Sequence, residues 1–180
     1  MKEAADMYER LETEHLTLRK AAPGDLHSIW ENVWKNERIA EMMLWQPTRT
    51  LEEAEDRLAR TIAYQQAYHA WFICLKETDE AIGFAGVRED RPGTWGESGI
   101  CLAEAHQNRG YGKEVLRALV ELVFTELGGR RFLASCFHEN ARSAAVIRSL
   151  GFRFAGSREE ERKWDGRRYV SDCYELLRGE

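Results

Sequence analysis

The stretch Gln107-Asn108-Arg109-Gly110-Tyr111-Gly112 separates a strand-like run from a long amphipathic helix. The run before it is Glu97-Ser98-Gly99-Ile100-Cys101-Leu102, and residues 113–127 after it repeat apolar side chains at helical spacing. A glycine-rich turn that opens a helix directs several backbone N–H groups toward one point, where the helix dipole adds partial positive charge. The stretch therefore predicts a binding site for a phosphate group.

Two other phosphate-binding glycine loops do not fit these residues. A Walker loop requires a glycine five positions before its Gly-Lys pair and Ser or Thr after it, but Gln107 and Glu114 occupy those positions. A dinucleotide fingerprint requires a third glycine three residues after Gly112, where Val115 stands. It also requires a parallel βαβ unit, whereas three strands of antiparallel type precede this loop.

Composition sets the class of protein. The chain has 180 residues, of which 43% are apolar and 32% charged, as expected for one globular domain spanning residues 1–180. Its net charge of −5 argues against a nucleic-acid partner. No apolar run is long enough to span a membrane, and residues 1–6 lack the apolar core of a signal peptide. We therefore expect a cytoplasmic protein that binds neither nucleic acid nor membrane.

The four cysteines carry no metal or disulfide signature. Cys74, Cys101, Cys136 and Cys173 lie in separate apolar runs, without CxxC spacing and without paired histidines nearby. They are predicted to be buried thiols on strands, with no metal site. Cys101 lies near the glycine loop, but no histidine or acid follows it at a spacing that would support a nucleophilic role.

The order of predicted elements defines the fold class. Strands are predicted at residues 16–19, 71–75, 81–87, 97–102 and 132–137, and in a closing hairpin around 164–167. Helices are predicted within residues 25–45 and at 51–68, 113–127 and 141–150. This order predicts an α/β fold with a mixed, mostly antiparallel central sheet of about seven strands and helices on both faces.

Three further segments, taken with the loop, carry a family resemblance. Residues 11–19 resemble the pattern LxTxRLxLR, residues 97–102 resemble EIGYWL, and residues 140–152 resemble NxxSxxVxxKLGF. These patterns, in this order, are typical of the ribosomal-protein alanine acetyltransferase branch of the GNAT superfamily of N-acetyltransferases. The resemblance implies a GNAT-type acyl-CoA N-acyltransferase fold with acetyl-CoA as cosubstrate.

The resemblance also implies where acetyl-CoA binds. Its pyrophosphate would be held by the loop, and its pantetheine arm would pair as a pseudo-strand with the backbone of the preceding strand, which splays from its neighbour. The residues so implied are Ile100, Cys101, Leu102, Gln107, Asn108, Arg109, Gly110, Tyr111, Gly112 and Lys113. The side chains of Arg109 and Lys113 are equally well explained as solvated surface charges, and that of Tyr111 as a packing residue.

Glu97 is the candidate general base. It matches the proposed base of this branch and could accept the proton of an amine through a water molecule. The backbone N–H of Cys101 or Leu102 would stabilise the oxyanion, as the family geometry implies. The alternative for Glu97 is an exposed glutamate at a strand end.

The general acid is not fixed by the resemblance. Many superfamily members have a tyrosine seven residues after the motif asparagine, but Ile147 stands there. Asn140 and Ser143 lie one helical turn apart, so Asn140 could contact the pantetheine and Ser143 the thiolate or the phosphates of acetyl-CoA. Asn140 is equally suited to be a helix N-cap.

The acceptor is left open among primary amines, either a protein N-terminus or a small molecule. Large aromatic residues could line its pocket or pack in the core: Trp30, Trp34, Trp45, Tyr68, Trp71 and Trp164. Residues 159–161 are three glutamates that could attract a cationic amine or form a solvated strand end. A homodimer is an expectation from the branch alone. The alternative function is a non-catalytic module that binds or senses acyl-CoA.

Overall fold

The computed structural model describes residues 8–179. Residues 1–7 and 180, which include the segment examined for a signal peptide, lie outside the described residues. One sheet contains eight strands: β1 (Arg10–Glu12), β2 (Leu16–Arg19), β3 (Ala70–Leu75), β4 (Ala81–Arg91), β5 (Thr94–Leu102), β6 (Arg131–Phe137), β7 (Arg153–Glu161) and β8 (Arg168–Leu177). Their order across the sheet is β1-β2-β3-β4-β5-β6-β8-β7.

The sheet is mixed and mostly antiparallel, as predicted. Only β5 and β6 pair in parallel among the described strands. The strand beyond the expected seven is β1, whose polar residues Arg10 and Glu12 show no apolar alternation. It forms because it pairs with β2, an interaction that a search for local patterns does not detect.

Among residues 8–179, five α-helices cover the sheet: α1 (Leu26–Ile29), α2 (Glu37–Glu41), α3 (Leu51–Ala67), α4 (Tyr111–Glu121) and α5 (Ala141–Ser149). π-helical turns extend α1 over Trp30–Trp34 and α4 over Leu122–Glu126. A capping box begins α3, because Thr50 Oγ1 accepts from Glu53 N at 3.2 Å and Glu53 Oε2 accepts from Thr50 N at 3.3 Å. Within residues 8–179, no helix combines the length and apolarity needed to cross a membrane.

The helices lie on both faces of the sheet. On one face, the Trp34 ring beside α1 lies 6.0 Å from that of Phe72 on β3. On the other face, α4 and α5 pack against each other, and the Phe152 ring after α5 lies 5.7 Å from that of Phe132 on β6. Helices α1–α3 therefore cover one face of the sheet, and α4 and α5 cover the other.

The closing hairpin is docked onto α2 through Arg162. The predicted turn is present, with Gly166 at φ +71° between β7 and β8. The Arg162 side chain is only 5% exposed and forms an ion pair with Asp165. Its Nη1 donates to the carbonyl oxygens of Ala40 at 3.0 Å and Met43 at 3.2 Å. This guanidinium therefore fixes the hairpin to α2, on the face of the sheet that α1–α3 cover.

The four cysteines are free thiols on strands, as predicted. Cys74, Cys101 and Cys136 are buried, whereas Cys173 on β8 is half-buried.

Candidate active site

The central feature of the candidate site is a gap between β5 and β6. The two strands pair only at Thr94↔Arg131, Trp95↔Phe132 and Gly96↔Leu133. Beyond Gly96, β5 stays paired with β4 as far as Leu102 and β6 stays paired with β8, so the two strands part. The edge of β5 that faces β6 therefore has unpaired backbone groups.

A β-bulge bends β5 at this point. Val87 pairs with Glu97 and Ala85 with Ile100, so Ser98 and Gly99 lie opposite Gly86 alone. Gly99 has φ +120°, which strains residues that carry a Cβ. A Cβ on Gly86 would lie 2.5 Å from Ser98 Oγ. These two glycines therefore permit the bulge that directs β5 away from β6.

The Glu97 carboxylate bridges the opening of this gap. Its Oε2 accepts from Gly99 N at 2.6 Å, and its Oε1 accepts from Ser135 N at 3.4 Å and Ser135 Oγ at 3.3 Å. Burial raises the pKa of the Glu97 carboxyl, and the hydrogen bonds from Gly99 and Ser135 offset this only in part. Glu97 is half-buried rather than exposed, and its raised pKa suits a proton acceptor.

The free edge of β5 is formed by the backbone of Ile100 and Leu102. Ala103 N donates to Ile82 O on the β4 side at 2.8 Å. Backbone groups alternate between edges along an antiparallel strand, so those of Cys101 face β4 and those of Ile100 and Leu102 face the gap. Burial raises the pKa of the Cys101 thiol to about 12, so it is protonated at neutral pH.

The glycine loop presents backbone amides at the start of α4. Asn108 and Gly110 have φ +61° and +83°. The first backbone hydrogen bond of α4 runs from Glu114 N to Gly110 O at 3.0 Å, so the amides of Tyr111, Gly112 and Lys113 precede it. A Cβ on Gly112 would meet only Leu102 Cδ1 at 3.9 Å, so the fold itself does not require glycine there.

Gln107 connects this loop to β5 and α5. Its Nε2 donates to Leu102 O at 2.9 Å, and its Oε1 accepts from Arg142 Nη1 at 2.7 Å. The Gln107 side chain therefore shapes the loop, and its contact with acetyl-CoA stays a prediction.

Glu114 in the first turn of α4 anchors the loop to the segment between β1 and β2. It accepts hydrogen bonds from Thr13 Oγ1, from His15 N at 2.8 Å and from His15 Nδ1 at 2.9 Å. The Tyr111 ring lies 5.8 Å from the His15 ring, which gives Tyr111 a packing role. Burial raises the pKa of Glu114, but the bonds from Thr13 and His15 outweigh it and lower the net pKa. Hydrogen bonding to Glu114 raises the pKa of His15.

We expect this pair to stabilise the protein most at mildly acidic pH. The depressed pKa of Glu114 gives stability above pH 4.5 that is lost as the pH falls. The raised pKa of His15 gives stability below pH 6.5 that is lost as the pH rises through it. Urea unfolding should therefore show the largest deficit of a His15→Gln variant between about pH 4.5 and 6.5. The control is His27→Gln at an exposed histidine, and a pH-independent deficit would contradict the expectation.

Asn140 and Ser143 begin α5 beside β6. Asn140 is the N-cap, since its Oδ1 accepts from Ser143 N at 3.1 Å. Burial raises the pKa of the Cys136 thiol to about 11, and the half-buried Ser143 beside it lowers this pKa in part. Cys136 follows Ser135 on β6, so Ser143 and Glu97 approach adjacent residues of one strand. Ile147 is buried in the core and has no proton to donate.

A cavity of about 230 Å³ lies on the face of the sheet that α1–α3 cover, between α3 and strands β3–β5. The bulge residues Ser98 and Gly99 form part of its wall. Its other lining residues are mostly aromatic or small: Trp34, Trp45, Arg57, Thr61, Tyr64, Gln65, Ala70, Trp71, Phe72, Phe84, Ala85 and Gly86. An adjoining cavity of about 660 Å³ shares Trp45, Arg57, Thr61 and Tyr64.

Of the six aromatic residues considered from sequence, Trp34, Trp45 and Trp71 line the smaller cavity. Trp30 donates its indole N–H to Thr48 O, while Tyr68 and Trp164 are exposed. Residues 159–161 are exposed along β7. Among residues 8–179, no three His, Cys, Asp or Glu side chains are grouped as metal ligands would be.

Sequence reasoning missed Ser135 and Arg57. Nothing local distinguishes Ser135, because its contact with Glu97 depends on the register of two distant strands. The position of Arg57 could have been found from sequence, because the spacing of Arg57, Thr61 and Tyr64 by four and three residues places them on one face of α3.

Known proteins share this architecture. An uncharacterized N-acetyltransferase, p20, from Bacillus licheniformis is 29% identical over 175 residues, which cover 96% of this chain and 98% of p20. Ribosomal-protein-S5-alanine acetyltransferase from Vibrio fischeri superposes with a TM-score of 0.77 at 17% identity, over 95% of this chain and 97% of that one. Spermidine N-acetyltransferase from Vibrio cholerae, whose structure was solved with CoA and spermine, superposes with a TM-score of 0.73 at 22% identity. The superposition covers 91% of this chain and 95% of that one.

The two structural likenesses, at these identities, show a common fold. The family is shown by sequence: the model of the acetyltransferase (GNAT) domain matches residues 15–153. This match includes the gap between β5 and β6, the glycine loop and α5. The chain therefore belongs to the GNAT family of acetyltransferases.

Proposed function

We propose that this protein transfers the acetyl group of acetyl-CoA to a primary amine by direct attack in a ternary complex. The observation that carries the proposal is the Glu97 carboxylate at the parting of β5 and β6. The amides of the glycine loop lie at the end of the same strand, and Ser98 and Gly99 border the cavity on the opposite face. Both substrates could therefore reach Glu97 from opposite faces of the sheet.

The chain offers a matching site for acetyl-CoA. The loop amides from Arg109 to Lys113 would hold the pyrophosphate. The backbone groups of Ile100 and the N–H of Leu102, which face the gap, would pair with the pantetheine arm, and Asn140 and Ser143 would flank it. Acetyl-CoA supplies the acetyl group as an activated thioester. The backbone of Cys101 faces β4, so Ile100 and Leu102 provide these contacts in the proposal.

The protein's groups account for most of the proton and charge movements. Glu97 would take the proton from the attacking amine, directly or through water, as the nitrogen bonds to the acetyl carbon and the carbon–sulfur bond breaks. Leu102 N–H, which faces the gap, would donate to the thioester oxygen. Ser143 is the candidate to donate a hydrogen bond to the departing sulfur, which leaves as a thiolate and takes its proton from water.

The acceptor is proposed at the level of a primary amine. The branch resemblance favours a protein N-terminus, while the structural neighbours include both a ribosomal-protein and a spermidine acetyltransferase. The cytoplasmic location and the homodimer expected from sequence stay predictions. A non-catalytic module that binds acyl-CoA is the second candidate. Glu97 favours the enzyme, since a sensor does not require a proton acceptor at the thioester.

Binding of acetyl-CoA should raise the melting temperature. A ligand at 100 times its Kd adds about 2.7 kcal/mol of stability, which corresponds to about 5–11 °C for a chain of this size. Gly112→Glu should abolish the shift, because its side chain would enter the path of the pyrophosphate. Gly24→Glu is the control, at a glycine where an added Cβ would have no neighbouring atom within 4 Å. No shift of the wild type at millimolar acetyl-CoA would rule out the cosubstrate.

Release of CoA with a panel of amines then separates the two candidate functions. Release above the rate of hydrolysis identifies the enzyme. Binding of acetyl-CoA with no amine-dependent release identifies the binding module.

A further inference from the structure

The smaller cavity contains a cation without a carboxylate partner. Arg57 is the one charged residue among those that line it, and no Asp or Glu within residues 8–179 forms an ion pair with it. Its Nη1 donates to Thr48 Oγ1 at 2.8 Å and weakly to Gln46 O at 3.5 Å. Its Nε and Nη2 make no hydrogen bond to the described part of the chain, so they remain available as donors.

Two tryptophans hold this guanidinium in place. Its central carbon lies 4.6 Å from the ring centroid of Trp34 and 4.6 Å from that of Trp45. Both rings attract the cation and restrict its orientation. Burial lowers the pKa of Arg57 to about 10, which leaves the guanidinium charged at neutral pH.

The neighbouring polar groups also favour an acceptor of hydrogen bonds. The Trp45 indole N–H is buried and has no acceptor in the described residues. The larger adjoining cavity contains Arg60 and Glu53, but Glu53 Oε2 already accepts from the backbone N–H of Arg49 and Thr50. The two cavities together therefore present unpaired donors and positive charge.

We propose that the acceptor is a small primary amine that also carries an anionic group, a carboxylate or a phosphate, which Arg57 binds. This inference rests on the proposed acetyl transfer and adds the class of acceptor. The cavity reaches from Arg57 to Ser98 and Gly99, and Gly99 N donates to Glu97. An amine whose anionic end contacts Arg57 would thus direct its nitrogen toward Glu97. The volume of about 230 Å³ suits a small molecule, and the positive charge of Arg57 disfavours a polyamine.

Matched pairs of amines test the proposal in the CoA-release assay. The carboxylate pair is β-alanine and propylamine, the phosphate pair is phosphoethanolamine and ethanolamine, and spermidine and an alanine-initiated peptide represent the other classes. We expect kcat/KM for one anionic member to exceed that of its neutral partner by about 10- to 100-fold, the range of charge-assisted hydrogen bonds. The pair that responds distinguishes carboxylate from phosphate.

Arg57→Met should remove this preference, since methionine retains apolar contact with both tryptophans and lacks the charge. We expect kcat/KM for the anionic amine to fall by about 10- to 100-fold, so that its ratio to kcat/KM for the neutral partner approaches one, with the Kd of acetyl-CoA unchanged. Arg49→Met is the control, at a side chain that is 73% exposed and pairs with the exposed Glu37. The preference for the anionic member should persist in this control.

A binding measurement keeps the test independent of turnover. In the pair that responds, the anionic product (N-acetyl-β-alanine or N-acetylphosphoethanolamine) should bind the CoA complex more tightly than its neutral counterpart (N-propylacetamide or N-acetylethanolamine), and Arg57→Met should equalise the two. Equal binding within both pairs, or faster turnover of propylamine, spermidine or the peptide, would overturn the inference and leave acetyl transfer intact. Failure of the proposed function is a separate result, namely no melting shift with acetyl-CoA or no release with any amine.

Discussion

Glu97→Gln should lower kcat for acetyl transfer by about 10²- to 10⁴-fold, the usual contribution of a general base. In the wild type, Gly99 N donates to the Glu97 carboxylate at 2.6 Å. Glutamine keeps an oxygen that can accept this hydrogen bond, but it cannot take a proton from the amine. The bulge at Ser98 and Gly99 should therefore persist, and the Kd of acetyl-CoA should be nearly unchanged. Pre-steady-state turnover and calorimetric titration would measure the two quantities.

The pH dependence of kcat tests the same assignment without removing the carboxylate. Burial raises the pKa of Glu97 above its ordinary 4.5, so wild-type kcat should fall as the pH drops through the raised value and the base becomes protonated. Ser135→Ala removes a hydrogen bond that lowers this pKa, so the acidic limb should move to higher pH. An unchanged limb in Ser135→Ala, or full activity of Glu97→Gln across the pH range, would show that Glu97 is not the base.

Arg162→Ala should lower the free energy of unfolding by about 1–3 kcal/mol, the cost of leaving buried hydrogen-bonding groups without a partner. The change leaves Asp165 without its cation and deprives the carbonyls of Ala40 and Met43 of their donor. These carbonyls lie at the end of α2 and just after it, so the β7–β8 hairpin should lose its attachment to α2. Urea unfolding followed by circular dichroism would measure the loss.

Arg168→Ala is the matched control within the same hairpin. Arg168 is 78% exposed and contacts Glu159 at 3.4 Å, so its removal should change stability by less than about 1 kcal/mol. Equal losses in the two variants would mean that the buried contacts of Arg162 do not hold the hairpin.

Local chemistry made several features predictable from sequence. Thr50 and Asn140 cap helices because their side chains accept from amides three residues later, which depends only on nearby residues. Asp79 and Gly166 occupy turns at positive φ, which short polar side chains and glycine tolerate. The glycine loop is recognisable for the same reason, because its residues and the helix that follows are contiguous.

Boundaries and additional strands were less predictable. β5 begins at Thr94, three residues before the predicted start, because its first residues pair with both β4 and β6. β1 exists because it pairs with β2. In both cases the stabilising hydrogen bonds come from another strand, so the segment itself carries little signal.

By itself, the sequence determined the class of fold, the family resemblance, and the placement of the glycine loop between a strand and a helix. These depend on periodicity, turn residues and contiguous motifs. The tertiary structure alone decided that β5 and β6 part after Gly96, that Ser135 reaches Glu97, and that Arg57 lies between Trp34 and Trp45. Each of these depends on strand register or on packing between residues distant along the chain, and no local pattern records such contacts.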